Sequence, residues 1–272
     1  MGFTSMVSRT RDDTLGTEVN PPLAPDANGG QAEAPIGLVA AFSWEVRPLL
    51  RRQSGVHQSG TRTSGRAYSF IARGLPVHLT VAGVGADNAY REACQLLERF
   101  RVRGLVTIGF AGGLVDSLNP GDIVLPHHVI DQRTGERFDC SDELWPVSNA
   151  HRGGLLSATS FIASAEEKRV LAGKWGAVAV DMESAGVARA AAERGVAFSA
   201  IKAITDNSVN SISFDFASCR SDDNKLSFWK IIREGMRTSQ TIRDMWMLAK
   251  GARVASRALA DALGSPELSG TR

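Results

Sequence analysis

Three acidic sites in this chain stand where chemistry is readily built, because each follows a short apolar run of the kind that makes a buried strand. Glu45 comes just after Ile36-Gly-Leu-Val-Ala-Ala-Phe42, within Ala41-Phe-Ser-Trp-Glu-Val46. Asp181 and Glu183 close the run Ala177-Val-Ala-Val180 in the sequence Asp181-Met182-Glu183-Ser184, and Asp206 closes Lys202-Ala-Ile-Thr205. Ionised carboxylates accept hydrogen bonds from ligand hydroxyls, and carboxyls held neutral donate a proton, so such a set suits acid–base work on a polar substrate. Each acid also has a plainer reading. Acids in the first turn of a helix are favoured by the helix dipole, and Glu45, Asp181 and Glu183 all lead into helical patterns.

The elements that must position these acids follow from periodicity. Apolar runs over 36–42, 77–82 and 105–108 read as buried strands, and the patterns over 44–52 and 87–100 read as helices. The third strand is expected to end in a small-residue turn, Ala111-Gly112-Gly113. Further strands are expected over 122–131, 155–163, 177–181 and 198–204, and an alanine-rich helix over 184–194. Alternating strands and helices predict one three-layer α/β domain with a mixed, mostly parallel central sheet flanked by helices. Ligands collect at the carboxyl ends of such strands. Glu45, Gly83–Gly85, Gly109–Gly113, Asp181–Glu183 and Asp206 all fall there.

At 272 residues the chain is long enough to bury a sizeable core. The 43% hydrophobic and 22% charged composition is that of a soluble globular protein, and a net charge of +2 provides no strong field for nucleic acid. Cys94, Cys140 and Cys219 form no C-x-x-C pair, which points to reduced thiols and a cytoplasmic setting. No run of about 18 apolar residues is present to span a bilayer. Residues 1–34, rich in Gly, Pro, Asn, Asp and Thr, read as a flexible tail. The catalytic domain is placed at 35–224, and 225–272 reads as an amphipathic helical extension.

Taken in order, Thr107-Ile-Gly-Phe-Ala-Gly-Gly113, Asn119-Pro-Gly-Asp-Ile-Val124, Asp181-Met-Glu-Ser184 and Lys202-Ala-Ile-Thr-Asp206 resemble the nucleoside phosphorylase and nucleosidase superfamily. The resemblance spans about residues 36–207 and is closest to the methylthioadenosine/S-adenosylhomocysteine nucleosidases. It implies a small-molecule purine nucleoside as substrate. It also implies that Glu183 holds the ribose hydroxyls, Met182 packs beneath the sugar, and Asp206 donates a proton to purine N7. A free aspartate, with a pKa of about 3.9, holds no proton at neutral pH, so burial must raise Asp206. By the same resemblance Glu45 activates the attacking water. Phe161 and Ile162 match the segment that stacks on and hydrogen-bonds the purine, although spacing alone fits a core Phe on a strand equally. Gly112 lies in the glycine turn beside the sugar, and Phe42 lies toward its 5′ side.

Three departures stand out. Ser43 and Trp44 occupy places where further acids are common, and Phe110 replaces a serine that touches sugar or water. Related phosphorylases carry an arginine where Thr107 stands, and their G-D-P-x-R phosphate loop is missing, so hydrolysis is favoured over phosphorolysis. Arg47 and Arg66 keep the phosphate alternative open.

Other signals lead away from cofactors. Gly83-x-Gly85-x-x-Asn88 lacks the third glycine of a dinucleotide loop. His127 and His128 project to opposite faces, and His57, His78 and His151 lack partners at ligand spacing, so neither metal nor cofactor is implied.

Beyond Asp206 the chain continues for 66 residues, longer than the methylthioadenosine nucleosidases. Here it resembles a hopanoid-associated subgroup of phosphorylases whose proposed role is to remove adenine from adenosylhopane. Trp229, Ile232, Met245, Trp246 and Leu248 then form an apolar entrance or make peripheral membrane contact, or, on the plainer reading, cover the core or a subunit interface. The resemblance implies a homodimer. A nucleoside-binding module without turnover is the non-enzymatic alternative.

Overall fold

The computed structural model describes residues 34–59, 66–210 and 239–264. Strand β1 (Ile36–Ala40) is buried along its whole length, as its unbroken apolar sequence requires. It runs parallel to β4 (Leu75–Val81) on one side and to β5 (Gly104–Gly113) on the other. The far side of β5 pairs, also in parallel, with β11 (Ala197–Asp206). Antiparallel pairings, together with the parallel pairs β10–β9 and β9–β7, complete the mixed 11-stranded sheet. On one flank β2 (His57–Ser59) and β3 (Arg66–Ala72) continue from β4. On the other, β10 (Ala177–Asp181) joins the end of β5 and is followed by β9 (Gly154–Ser157), β7 (His128–Asp131) and β8 (Arg137–Asp139). The short β6 (Ile123–Val124) lies against β11.

Helices α1 (Ser43–Arg52), α2 (Ala86–Arg99), α3 (Ala165–Trp175), α4 (Ser184–Arg194) and α5 (Ser239–Gly264) flank this sheet. The alanines of α4 have a steric purpose. Ala188, Ala190 and Ala191 share a buried cluster with Ala89 and Ala93 of α2. A Cβ at Gly186 would lie 1.9 Å from the carbonyl oxygen of Ala86, so the two helices touch backbone to side.

Three elements differ from the sequence expectation. First, β5 does not turn at Ala111 but continues through Gly113, paired with β10 at Gly112 and Gly113 and with β11 beside it. Its small residues admit both neighbours at close range, which makes the run look like a turn in sequence. Second, the segment 122–131 is not one strand. Pro126 stands between β6 and β7 and has no N–H to donate to a ladder. Third, β9 ends at Ser157, and Ala158 to Ser164 connects it to α3. Ser164 caps that helix by accepting the Glu167 N–H at 3.0 Å, so the chain must leave the strand before it.

The last described helix, α5, covers the core. Ala255, Leu259, Ala260 and Leu263 pack in one cluster with Val46 and Leu49 of α1 and Ile201 and Ala203 of β11. Its contact with the sheet is very close, because a Cβ at Gly251 would lie 2.0 Å from the carbonyl oxygen of Thr205. Trp246 points away and is 71% exposed, and Leu248 is half-buried. Trp229, Ile232, Cys219, all but the last residue of the proposed tail at 1–34 and the boundary at 224 lie outside the described residues, as does the Met245 side chain. No described helix is long and apolar enough to cross a membrane.

Candidate active site

Glu45 enters the site from the first turn of α1. Its Oε2 accepts the Phe42 N–H at 2.9 Å, so the residue caps its own helix as the plainer reading expects. The same carboxylate also lies against β5. A Cβ at Gly109 would sit 3.1 Å from Oε2 and 3.2 Å from Oε1, and the Gly109 φ of 144° suits glycine in any case. Burial pushes the Glu45 carboxyl up to about 8. The N–H groups of Phe42 and Phe110 and the Lys202 ammonium oppose that rise, whereas the Glu183 charge adds to it.

Glu183 occupies the N-cap of α4, at the end of β10. Its Oε1 accepts the Gly85 N–H at 2.9 Å and its Oε2 the Met182 N–H at 3.3 Å. The Gly83–Gly85 loop is therefore tied to the Asp-Met-Glu turn. Burial raises Glu183 to about 7, with the Asp181 charge adding and Lys202 opposing. The two hydrogen bonds leave lone pairs on the carboxylate for ligand hydroxyls.

Beneath these acids lies a buried cation. Lys202 of β11 is 1% exposed, 2.9 Å from Asp181 Oδ2, and donates to Thr107 Oγ1 at 3.1 Å. Asp181 also accepts the Ser184 hydroxyl and the Ser184 N–H.

Asp206 ends β11 at a register shift after Ile204. Such a bulge re-aims a side chain, and here it brings the carboxylate over Gly112, where a Cβ would be 3.4 Å from Oδ2. Thr205 donates its hydroxyl to Oδ1 at 2.7 Å. Sequence reasoning required burial to keep Asp206 neutral, but the structure places a cation beside it. Lys168 Nζ of α3 is 2.5 Å from Oδ2 and also donates to the Asn207 carbonyl at 2.7 Å, and its side chain is fully buried.

Glu45 and Asp206 thus stand over Gly109 and Gly112 of the same strand. Three residues of strand span about 10 Å, which is the rise along β5 between the points where the two acids meet it. Flanking Glu45 in the chain is an aromatic wall: Phe42 stacks on Trp44 at 5.3 Å between centroids, and Trp44 meets Phe110 at 5.1 Å. Trp44 is 45% exposed. Phe161 and Ile162 lie in the connection between β9 and α3, not on a strand. Ile162 is buried in a cluster with Val180 and Leu171, and Phe161 is half-buried.

Two members of the site escaped sequence reasoning. Lys202 was visible as an ion inside an apolar strand, a costly placement unless it is paired. Lys168 gave no signal, since Glu166-Glu167-Lys168-Arg169 reads as a solvated helix face. Arg47 is exposed, and Arg66 donates to Ser43 Oγ at 3.1 Å near the aromatic wall.

A mixed sheet with acids gathered at its strand ends over a glycine-lined floor is the arrangement of an α/β protein that holds small polar ligands. The model of the phosphorylase superfamily matches residues 35–145 and 140–219, and the chain belongs to that family. A 5′-methylthioadenosine/S-adenosylhomocysteine nucleosidase of Shewanella denitrificans is 28% identical over 209 residues, covering 67% of this chain and 90% of that protein. A DeoD-type purine nucleoside phosphorylase of Streptococcus gordonii is 28% identical over 163 residues, covering 53% and 68%. Among solved structures, S-adenosylhomocysteine nucleosidase from Streptococcus pyogenes in complex with 5-methylthiotubericidin superposes with a TM-score of 0.65 at 18% identity, covering 85% of this chain and 97% of that one. The protein is an enzyme of the nucleosidase and nucleoside phosphorylase kind.

Proposed function

We propose that this enzyme cleaves the N-glycosidic bond of an adenine nucleoside with water as nucleophile. In this reading Glu183 accepts the ribose 2′ and 3′ hydroxyls over Met182, and the Phe161–Ile162 segment holds the purine. Glu45 removes a proton from water as it attacks C1′. The C1′–N9 electron pair passes into the purine, and Asp206 protonates N7. Buried carboxylates near the sugar stabilise an oxocarbenium-like transition state, as paired acids do in glycoside cleavage.

The observation that carries the choice of water is the charge around Lys202. This cation is paired with Asp181 at 2.9 Å, and Glu45 and Glu183 both lie within its electrostatic reach. Asp181 already neutralises the cation, so no free positive charge is left there for a phosphate dianion, whereas Glu45 suits a water needing a base. Phosphorolysis remains the second reading, since Arg66 lies at the rim beside Ser43.

The Phe42–Trp44–Phe110 wall favours a large apolar 5′ substituent over a small thioether, and adenosylhopane, in hopanoid biosynthesis, is such a substrate. Adenine release measured with and without phosphate tests the reading. Release is expected to be independent of phosphate, and a sugar phosphate product would replace hydrolysis with phosphorolysis. In the same assay Trp44→Ala should raise KM about tenfold for an adenosine bearing a long 5′ alkyl chain and leave that for adenosine nearly unchanged, as expected for lost aromatic burial. An equal change for both substrates would remove the aromatic wall from substrate recognition.

A further inference from the structure

Lys168 has no part in the chemistry described so far, yet it is the most completely enclosed charge next to it. Its ammonium lies 2.5 Å from Asp206 Oδ2, donates to the Asn207 carbonyl at 2.7 Å, and is 0% exposed. A buried ion pair is a weak device for stability, because desolvating both partners offsets most of their attraction. Placed directly behind the acid that must deliver a proton, it has a better use. A lone carboxylate at this position would bring no proton to the purine. The lysine and Asp206 together bring one, held on Nζ.

We propose that Lys168 is a positioning residue that supplies, through Asp206, the proton taken by the leaving purine. This inference rests on the adenine nucleoside reading above. As the C1′–N9 bond breaks, its electron pair moves into the purine and the N7 lone pair takes a proton from Asp206. That proton reaches Asp206 from Lys168 Nζ as Asp206 passes it on, so the transfer leaves a carboxylate beside a neutral amine. After the base departs, Glu45 releases the proton it took from the attacking water and Lys168 takes one up from solvent. The net change is nucleoside plus water giving free base plus sugar. Thr205, donating to Oδ1 at 2.7 Å, holds the carboxylate in line while the proton passes.

Arginine separates this role from a mere counter-charge, because a guanidinium keeps the ion pair but does not give up its proton in a protein. In Lys168→Arg, kcat for adenosine is expected to fall about 100-fold, with KM within about threefold. N7-methylated adenosine already carries a cationic base and needs no proton, so wild type and Lys168→Arg should cleave it at similar rates. The double variant Lys168→Arg/Asp206→Asn should be no slower on adenosine than Asp206→Asn alone, since both changes interrupt one transfer. Lys168→Met, of similar shape and uncharged, repeats the comparison, with circular dichroism confirming the fold of each variant. Retained kcat in Lys168→Arg would overturn the proposal, as would equal losses on both substrates or multiplicative losses in the double variant. A wild-type protein that releases no base from any adenine nucleoside would instead remove the functional reading itself, and that result is obtained before any variant is made.

Discussion

Asp206→Asn is expected to lower kcat for adenine release about 1,000-fold while changing KM by no more than about threefold. The amide keeps the shape of the carboxyl, and its oxygen still accepts from Thr205. Loss of proton delivery leaves the purine to depart as an anion, and that cost appears only in the transition state. The change has a second effect. Lys168 would remain buried with its counter-charge gone, and breaking a buried pair from one side costs about 3–5 kcal/mol. The melting temperature should therefore fall with kcat, and rates should be taken well below it. A folded Asp206→Asn variant with full kcat would remove this residue from the chemistry. One that binds nucleoside unchanged, from a wild type that shows no turnover, would indicate a binding module.

The second large effect belongs to Glu45 and depends on pH in two opposite ways. With its carboxyl raised to about 8, the free enzyme holds Glu45 mostly protonated at neutral pH. As a base it must be ionised, so kcat/KM should climb as pH rises toward 8 and level off above it. Stability should move the other way. A raised acid binds its proton more tightly in the folded state, so no penalty exists below the unfolded value near 4.5. Across the window from there to about 8 the unfolded chain is ionised while the folded one resists, and stability falls by a few kcal/mol. Glu45→Gln should flatten most of that decline in melting temperature and lower kcat/KM about 100-fold or more. Its remaining pH limb should lie near 7, the value to which Glu183 is raised. An unchanged rising limb near 8 in this variant would show that another group is the base.

How far the sequence discloses this site depends on whether a residue's neighbours in sequence are also its neighbours in space. Glu45, Glu183 and Asp206 were legible because each lies at or just past the end of an apolar strand, and strand ends in an α/β sheet are where ligands gather. Helices α1, α2 and α4 were legible from their periodicity. The Gly109–Gly113 run misled because small residues signal a turn as readily as a strand squeezed between close neighbours, and only the flanks supplied by β10 and β11 decide the matter. Lys168 was illegible for a different reason. Its partner lies 38 positions away, and its sequence neighbours Glu166, Glu167 and Arg169 are charged residues exposed to solvent. Long-range ion pairs leave no local trace. The C-terminal helix illustrates the limit of periodicity, which identified an amphipathic face without saying that the core formed by α1 and β11 would occupy it.

Gly251 gives that helix one further meaning. By resting its backbone on the Thr205 carbonyl, α5 braces the residue immediately before Asp206, although it enters the chain some 46 positions later. The surface on which it rests exists only once β11 has paired with β5, so its docking follows the sheet. The sheet can therefore assemble while the acid at its edge is still loosely held, so that the molecule acquires its shape before its competence. A chain released at residue 238 should protect the amides of β1 and β5 from hydrogen exchange and leave those around Thr205 more open, because the backbone beside Asp206 gains its last support from this helix.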